Sequence, residues 1–413
     1  MAYPTLEKLF YADSSSSRFT AHEQRHRERF DQESSFKTGI ELNTGELFLA
    51  VPRELSLATE QVLRRERRVS VLWRALPPIA LGAYIRSLIM SEVVYSNEIE
   101  GVYSTRRQIE AALEQARAEE ISHSKEAKTH HSPFVEFAKL YLGLTENPLP
   151  PESLQDIRDI YDSVVKDSLD EENKFDNSLF RTGPVVIENE RGKIVHTGVS
   201  PESGIERMLD QWLALSKSDE IPEIYSALLC HFLFGYIHPF YDGNGRTGRY
   251  LLALHLSAPL SQPTVLSLSR TIAENKAAYY KAFDITERQL NCAEGTHFVL
   301  TMLDLIEQAQ EQLIADLESK QAALDKLNRR VDALEERLGQ RACSILFYAA
   351  QMHLYGAFQE MVLGDLTTYL KVSKPTTRKA LDKLCEQGLA AKKGARPPVY
   401  QLTDKGVELL GIG

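Results

Sequence analysis

The stretch HPFYDGNGRTGR, which runs from His238 to Arg249, places one histidine, one acidic residue, three glycines and two arginines within twelve positions. Its inner part, GNGRTG, fits the dinucleotide-binding pattern G-x-G-x-x-G, which has meaning only between a strand and a helix. The segment before it, residues 222–240, repeats apolar residues at helical spacing instead, and no acidic residue suited to a ribose follows about 20 positions later. A dinucleotide fold is therefore excluded, and the missing Lys-Ser/Thr pair excludes a Walker A loop.

The glycines of this stretch indicate an anion site. Gly243 and Gly245 can adopt positive φ angles, so that successive backbone N–H groups point into one concavity. The helix that follows adds its positive N-terminal end. Arg246 and Arg249 lie three residues apart and extend two guanidinium groups from one helical face. The spacing therefore predicts a site for a chain of phosphates.

Two further residues of the stretch supply chemistry. Asp242 is a hard oxygen ligand suited to a Mg²⁺ ion that bridges phosphates. His238 stands just before the loop, where a neutral imidazole can take a proton from an incoming hydroxyl group. With the anion site, these residues predict nucleotidyl or phosphoryl transfer, in which the protein contributes positioning and charge neutralisation.

The overall composition is that of a soluble globular protein. The chain has 413 residues, of which 43% are hydrophobic and 26% charged, which predicts roughly two or three domains. The start of the chain lacks the features of a signal peptide, so we expect a cytoplasmic location and no membrane segment. Four widely spaced cysteines without a C-x-x-C pair predict reduced thiols and no zinc site. A net charge of −10 argues against a chain that coats nucleic acid along its whole length.

Periodicity along the chain is mainly helical. Apolar residues recur at helical spacing over 77–101, a segment opened by two prolines and closed by Gly101, and a second helix is expected over 105–120. Residues 13–40 predict a polar arm that leads to a short strand, ELFLAV, and residues 119–131 predict a polar loop. Two β-branched runs in GPVVIENERGKIVHTG, separated by a polar turn, predict a hairpin.

The stretch His238–Arg249 resembles the signature of the Fic family, His-x-Phe-x-Asp/Glu-Gly-Asn-Gly-Arg-x-x-Arg, at every specified position. The resemblance implies a mainly α fold and protein AMPylation, in which AMP moves from ATP to a Ser, Thr or Tyr hydroxyl of a target protein, or of the chain itself, and pyrophosphate is released. It implies a general base at His238, a core-packing residue at Phe240 and a Mg²⁺ ligand at Asp242. It also implies ATP-binding residues at Gly243, Asn244, Gly245, Arg246, Thr247, Gly248 and Arg249, with Arg246 on the β-phosphate and Arg249 on the γ-phosphate.

Two other segments extend the resemblance. The run FRTGPVVIENERGKIVHTG, residues 180–198, resembles the hairpin of the family that lies over the active site and docks the target segment by strand addition. This implies target docking at Val185, Val186 and Ile187, of which the first two also border ATP. The run ENKAAYYKAF resembles a helix whose paired aromatics, here Tyr279 and Tyr280, border adenine and ribose. The family often has Asn seven residues after the second Tyr, where this chain has Glu287.

A regulatory motif lies far upstream. The run SNEIEG, Ser96 to Gly101, resembles the inhibitory motif of the family, Ser/Thr-x-x-x-Glu-Gly/Asn. A carboxylate at Glu100 that paired with Arg249 would remove the cation needed for the γ-phosphate, so ATP would bind unproductively. The sequence therefore predicts an enzyme that inhibits itself.

A heptad pattern begins near the C-terminal third of the chain. Leu317, Leu324, Val331 and Leu338 repeat every seven residues, with Leu327 and Leu334 at interleaved positions and Lys320 at one of them. We name this apolar row the heptad row. It predicts either the seam of a coiled-coil homodimer or a helix that packs on the rest of the chain.

The last segment, residues 341–413, resembles a winged helix-turn-helix. It carries ten Lys or Arg residues and six Asp or Glu residues, a balance of +4. The exposed start of its recognition helix is predicted to contain Thr376, Thr377, Arg378 and Lys379, and its wing Lys392, Lys393 and Arg396. DNA binding and protein docking both fit this pattern.

These signals together predict a Fic-type helical bundle with a hairpin flap, a long helix and a winged helix-turn-helix. The predicted segments are an arm over 1–55, helices with the inhibitory motif over 56–145, a Fic core over 146–315, a connecting helix over 316–340 and the winged domain over 341–413. Two functional alternatives remain open: a nucleotide-sensing DNA-binding regulator, and a Fic-fold transferase of phosphate, UMP or phosphocholine.

Overall fold

The computed structural model describes residues 3–122, 132–146, 148–166, 178–188, 192, 194–395 and 398–413. Over these residues the chain is mainly helical, as predicted from the sequence. The chain divides into two compact units. The first consists of Met1–Arg67 and Met90–Gln310, and the second of Arg68–Ile89 and Glu311–Gly413. Residues 123–131 of the predicted polar loop, and Arg396 of the predicted wing, lie outside the described residues.

The first unit begins with two helices and a hairpin. These are α1 (Leu6–Ala12), α2 (Arg18–Phe30), β1 (Phe36–Leu42) and β2 (Gly45–Leu49). The strand predicted at ELFLAV is confirmed as β2, but the prediction of an arm over 13–40 is wrong. His22 of α2 contacts the carbonyl oxygen of Leu290 at 2.8 Å, and Arg29 forms a 2.7 Å ion pair with the buried Glu294. Long-range polar contacts therefore order a segment whose composition is that of an arm.

The central helices carry the predicted inhibitory motif. They are α3 (Arg53–Arg74), α4 (Pro78–Ile99), α5 (Arg106–Ser122), α6 (Val135–Glu146) and α7 (Leu154–Val165). Helix α4 coincides with the helix predicted over 77–101, and Gly101 follows it at φ 73°, the left-handed conformation that ends many helices. By length and composition α4 could cross a membrane, at a mean hydropathy of 1.2. Its Ile89, Met90 and Val93 are buried in protein, as in the core helix of a globular unit.

A flap and a helical pair follow. The elements are β3 (Val186–Glu188), β4 (Ile194–Thr197), α8 (Glu202–Ser216), α9 (Glu223–Ile237) and α10 (Asn244–Leu256). Strands β3 and β4 form the predicted antiparallel hairpin. Helix α9 is buried on almost every face between α8 and α10. It therefore provides the rigid base from which the stretch His238–Arg249 begins.

Short helices and the start of a long helix follow α9 and α10 in the first unit. It consists of α11 (Gln262–Val265), α12 (Leu268–Glu274), α13 (Lys276–Glu287) and the start of α14 (Thr296–Leu338). Phe298, Val299 and Met302 of α14 are fully buried.

The second unit contains the helices and the hairpin expected over 341–413. Its elements are α15 (Gln340–Tyr355), β5 (Met361–Val362), α16 (Leu363–Leu370), α17 (Lys374–Glu386), β6 (Ala390–Ala395), β7 (Pro398–Leu402) and α18 (Asp404–Leu410). The three strands form an antiparallel sheet in the order β5-β7-β6. Thr377 corrects one prediction, because its side chain is fully buried and donates to the carbonyl oxygen of Ser373. It cannot contribute to an exposed face of α17.

The heptad row is covered within the second unit. Leu324 and Leu327 lie in one buried cluster with residues of α15–α18, and Val331, Leu334 and Leu338 pack against that cluster. Leu317 belongs to a second cluster with Leu313, Val69 and Tyr84. Intrachain packing, one of the two predicted alternatives, therefore accounts for this row. The homodimer stays a prediction.

Candidate active site

The loop between α9 and α10 is held in one conformation. His238 ends α9 at φ 51°, in the left-handed region. Phe240 is fully buried and stacks on Tyr161 with 3.6 Å between ring centroids. The amide of Asn244 donates to the Phe240 carbonyl oxygen at 2.7 Å and accepts from the Phe240 N–H at 3.0 Å. The Asn244 side chain therefore closes the loop, and its role is to position backbone groups.

Of the two glycines predicted to adopt positive φ angles, only Gly243 does so, because Gly245 lies within α10 in a helical conformation. Gly243 caps α10 at φ 79°, and a Cβ atom there would collide with Val165 and would lie 3.3 Å from Tyr161. Only glycine meets both conditions. The first N–H groups of α10 have no partner within the helix, so this end of α10 can bind an anion.

Thr247 and Gly248 lie in the first turns of α10, where they contact protein. The Thr247 side chain is fully buried, and its N–H donates to the Gly243 carbonyl oxygen. A Cβ atom on Gly248 would lie 3.1 Å from Phe234 of α9. Gly248 thus permits the close packing of α10 on α9, and the Thr247 side chain is enclosed by protein.

Arg249 is held at three points. Its Nε donates to Ser96 Oγ at 3.0 Å, its Nη2 donates to the Ser96 carbonyl oxygen at 2.7 Å, and its Nη1 donates to Glu100 Oε1 at 2.7 Å. The Arg249 side chain is 1% exposed and the Glu100 side chain 27%. Desolvation acts to raise the pKa of Glu100, but the charge of Arg249 outweighs it, with help from Arg246, and the pKa is lowered. The predicted pair of Glu100 and Arg249 is therefore formed, and Glu100 is ionised within it.

The Glu100 carboxylate also lies against the anion site. A Cβ atom built on Gly245 would collide with the carboxylate of Glu100. A negative group of the chain itself thus lies at the N-terminal end of α10, where a phosphate is predicted to bind.

A carboxyl group of α4 itself, that of Glu92, also lies near Arg249. Glu92 is buried and accepts hydrogen bonds from the Ser269 N–H at 3.0 Å and the Ser269 hydroxyl at 2.5 Å. Desolvation raises the pKa of Glu92 to about 7, although Ser269 and Arg249 act to lower it. Of these two carboxyl groups, that of Glu100 therefore neutralises Arg249 more fully.

His238 has the electronic state of a proton acceptor. Desolvation, followed by the neighbouring His196 and Arg181, lowers the pKa of His238 from 6.5 to about 4. The imidazole is therefore neutral at pH 7. A neutral imidazole can accept the proton of a hydroxyl group.

Arg181 fastens the flap to this loop, a role that sequence reasoning missed. It is 1% exposed, and it donates to the carbonyl oxygens of His238, Gly183 and Val199 at 2.7, 2.7 and 2.6 Å. A weaker bond of 3.3 Å reaches the Ile237 carbonyl oxygen. Arg181 is the second residue of the run FRTG, which the sequence analysis had assigned to the flap segment. Its role was not predicted because its acceptors are backbone atoms, which have no sequence signature.

The flap presents an apolar edge. Val186 and Ile187 are 46% and 37% exposed, and they pair with Thr197 and His196 of β4. The Val185 carbonyl oxygen is used inside the hairpin, where it accepts from the Gly198 N–H at 3.0 Å. Val186 and Ile187 are therefore more available to a target strand than Val185 is.

The two tyrosines of α13 differ. Tyr279 is 3% exposed, and its hydroxyl lies 2.8 Å from Nε2 of the buried His231. His231 in turn contacts the Gly248 carbonyl oxygen at 3.1 Å. Tyr280 is 43% exposed, and Lys276 lies 5.8 Å from its ring centroid. Tyr279 thus belongs to the core, and Tyr280 is the one that can contact a nucleoside.

Glu287 has a partner that the sequence did not suggest. Its Oε2 lies 2.6 Å from Nδ1 of His196 on β4. The carboxylate at the position where the family often has Asn is therefore engaged by the flap.

Asp242 fits the predicted Mg²⁺ ligand. Its side chain is 48% exposed, Oδ1 accepts from the Gly243 N–H at 2.6 Å, and Oδ2 lies 3.7 Å from Arg246 Nη2. Within the described ranges, no group of three or more His, Cys, Asp or Glu residues could hold a metal ion. The half-exposed carboxylate of Asp242 is a hard oxygen ligand of the kind that Mg²⁺ prefers.

Comparison with known families agrees with this geometry. The model of the Fic/DOC family matches residues 151–256. The chain contains a Fic domain. The matched segment includes the flap and the whole stretch His238–Arg249.

Known proteins share this Fic domain over limited lengths. The protein adenylyltransferases fic-1 of Caenorhabditis elegans and Caenorhabditis briggsae are 35% and 33% identical over 91 residues, 22% of this chain. The match spans 17% of the length of each relative. A crystal structure of a Fic family protein from Desulfovibrio desulfuricans is 19% identical, with a TM-score of 0.51, over 86% of this chain and 98% of that one. This last likeness shows a shared fold.

Proposed function

We propose that this chain is an autoinhibited protein adenylyltransferase, which moves AMP from ATP to a hydroxyl side chain of a target protein. The observation that carries the proposal is the position of the Glu100 carboxylate. It forms a 2.7 Å ion pair with Arg249 and lies against Gly245 at the N-terminal end of α10. The site is thus built for anions, and a residue of the chain competes for it.

The residues of the site suit one transfer step. The neutral His238 takes the proton of the target hydroxyl, whose oxygen then attacks the α-phosphorus of ATP. The bond from that phosphorus to the bridging oxygen breaks, and pyrophosphate leaves with its electron pair. The backbone of Gly243 to Gly245 and the guanidinium groups of Arg246 and Arg249 stabilise the phosphate charge. A Mg²⁺ ion at Asp242 would neutralise part of the same charge.

The contact between Glu100 and Arg249 explains why the resting activity should be low. While Ser96 and Glu100 accept from its three nitrogens, the charge of Arg249 is paired with a carboxylate and is not available to a γ-phosphate. Removal of Glu100 frees one nitrogen and the anion site together. The bonds to Ser96 would still hold Arg249 in place.

Labelling with ATP tests this proposal. The purified chain is incubated with ATP that carries the label on its α-phosphate, and with Mg²⁺. We expect weak labelling of the wild type, strong labelling of Glu100→Gly, and none of His238→Ala in the Glu100→Gly background. Glu98→Gln, a change at an exposed carboxylate of α4 two residues before Glu100, should behave as wild type. Label from the γ-phosphate in place of the α-phosphate would favour phosphate transfer and overturn the AMP assignment.

We further propose that the second unit binds duplex DNA. Lys374, Arg378, Lys379 and Lys383 are exposed on α17, and Lys392 and Lys393 are exposed on β6. The exposed acidic residues of α17, Asp382 and Glu386, lie toward its C-terminal end. A basic helix beside a basic hairpin complements the phosphate backbone and the major groove.

Salt dependence distinguishes DNA binding from protein docking. Affinity for a fluorescent duplex of random sequence is measured at several salt concentrations. The pair Arg378→Glu with Lys379→Glu should weaken binding and reduce the salt slope by about two. The pair Arg64→Glu with Arg67→Glu changes two exposed arginines of α3 and should change neither the affinity nor the salt slope. Equal slopes for both pairs would refute DNA binding by this surface.

A further inference from the structure

A second histidine of the site has an unused nitrogen. His196 is 9% exposed, and its Nδ1 lies 2.6 Å from Glu287 Oε2. Its Nε2 is buried and has no hydrogen-bond partner among the residues that the structure describes. A buried polar atom without a partner costs about 1–3 kcal/mol, so such atoms call for an explanation in functional terms.

The contact with Glu287 determines which nitrogen can accept a proton. A carboxylate only accepts hydrogen bonds, so Nδ1 of His196 carries the hydrogen and donates it. In the neutral ring, Nε2 then has a free electron pair. Glu287 and His196 thus form a carboxylate–imidazole pair, the arrangement that prepares an imidazole to take up a proton in hydrolytic triads.

The pair lies beside the proposed general base. The rings of His196 and His238 are 6.1 Å apart between centroids, a separation that one hydroxyl group or water molecule can bridge. The groups that act electrostatically on His238 are the cation Arg181, His196 and, more weakly, the carboxylate Glu100. Once Glu100 is displaced, Arg181 disfavours a proton on His238, whereas a proton on His196 has the Glu287 carboxylate 2.6 Å away.

We propose that His196, held by Glu287, takes over the proton that His238 removes from the target hydroxyl, and so returns His238 to its neutral state. The proton leaves the target oxygen for His238 and passes through a bridging water to Nε2 of His196. The imidazolium is stabilised by the charge of Glu287 until the proton passes to solvent. No electrons or further reactants are needed. This inference rests on the proposed transferase function and adds a positioning and relay pair to it.

A purely structural role for the pair predicts a different defect. The bond between β4 and α13 could serve only to hold the flap, which docks the target. Loss of the bond would then raise the KM for the target and leave kcat unchanged. The relay instead predicts a loss of kcat, with the KM for the target and the KM for ATP unchanged.

The test uses the full-length chain in the Glu100→Gly background. The variants are His196→Gln, which keeps a polar side chain but cannot carry a proton, His196→Ala, and Glu287→Gln, which keeps the shape and removes the charge. Asp284→Asn is the matched control, because it removes a half-exposed carboxylate from the same helix. Release of pyrophosphate is followed to obtain kcat and KM, and thermal unfolding reports folding.

We expect kcat to fall about 100-fold in His196→Gln and His196→Ala, the scale of a lost acid–base group. In Glu287→Gln we expect a fall of about tenfold, as for partners that orient a functional imidazole. Added imidazole should restore part of the activity of His196→Ala. Full kcat in a folded His196→Gln, or a change confined to the KM for the target, would overturn the relay. Retained labelling in His238→Ala would instead overturn the proposed function, so the two failures are distinct.

Discussion

Each of the three guanidinium nitrogens of Arg249 donates to Ser96 or Glu100. Ser96 of α4 and Glu100, the residue after the end of α4, are four positions apart, so both face the same guanidinium group. The desolvated arginine would be costly without these partners, and Glu100 acts to raise its pKa. A ligand phosphate could replace Glu100 in this arrangement, because it offers the same charge and oxygen acceptors. Under the proposed function, the contact between Glu100 and Arg249 therefore imitates the phosphate contact that it would prevent.

His238 leads to a prediction for the pH dependence of activity. Because its pKa is lowered to about 4, the imidazole stays neutral as the pH falls through 6.5, the ordinary value. In Glu100→Gly, kcat/KM should hold level from pH 8 to about pH 5 and fall only as the pH approaches 4. Removal of Glu100 lowers the pKa further, since that carboxylate acts to raise it. An acid limb centred near 6.5, with the fold intact by circular dichroism, would contradict this role for His238.

At the scale of elements, α13 holds the end of α4. Lys276 Nζ donates to the Ile99 carbonyl oxygen at 2.5 Å, one residue before Glu100. A cation at a helix C-terminus stabilises it, so Lys276→Met should loosen the segment that carries Glu100. We expect labelling of the wild-type background to rise about tenfold, equivalent to 1.4 kcal/mol, and to stay below that of Glu100→Gly. Lys281→Met, an exposed change on the same helix, is the control, and a decrease in labelling would refute the idea.

Arg181 is a buried cation that joins the flap to the loop after α9 through several backbone carbonyl groups. Arg181→Met leaves the carbonyl oxygens of His238, Gly183 and Val199 without their donor. We expect the free energy of unfolding to fall by at least about 3 kcal/mol and transfer activity to be lost, since the flap loses its side-chain bonds to the loop. Urea unfolding measures the first effect, and Arg207→Met, an exposed change on α8, serves as the control. Stability equal to that of the control would show that the flap is held by other contacts.

The sequence predicted those parts of the site that a local pattern encodes. His238, Asp242 and Arg249 lie within twelve residues, and Glu100 was found because its motif is also short. The roles of Arg181 and His196 were not predicted, because their partners lie 57 and 91 positions away. The prediction of an arm was wrong for the same reason, because Arg29 pairs with a carboxylate 265 positions away. Long-range pairing, rather than local propensity, explains each of these differences.

At the scale of the whole molecule, two cores replace the five consecutive segments that the sequence predicted. Residues 68–89, assigned from the sequence to the helices of the inhibitory motif, belong with residues 311–413. Val69, Leu72 and Tyr84 share a buried cluster with Leu313 and Leu317. Apolar spacing identifies which helices have a buried face, but it does not say which cluster each half of a long helix joins.

The heptad row leads to a prediction about these two cores. Leu327 is fully buried among residues of the second unit, so Leu327→Ala should lower the stability of that unit by about 2–5 kcal/mol. Calorimetry should show a loss confined to one transition, with the transition of the first unit unchanged. Light scattering should give the same molar mass as for wild type, because the row packs within its own chain. Leu57→Ala, which alters a half-exposed leucine of α3, should change neither. A halved mass with unchanged stability would show instead that Leu327 holds two chains together.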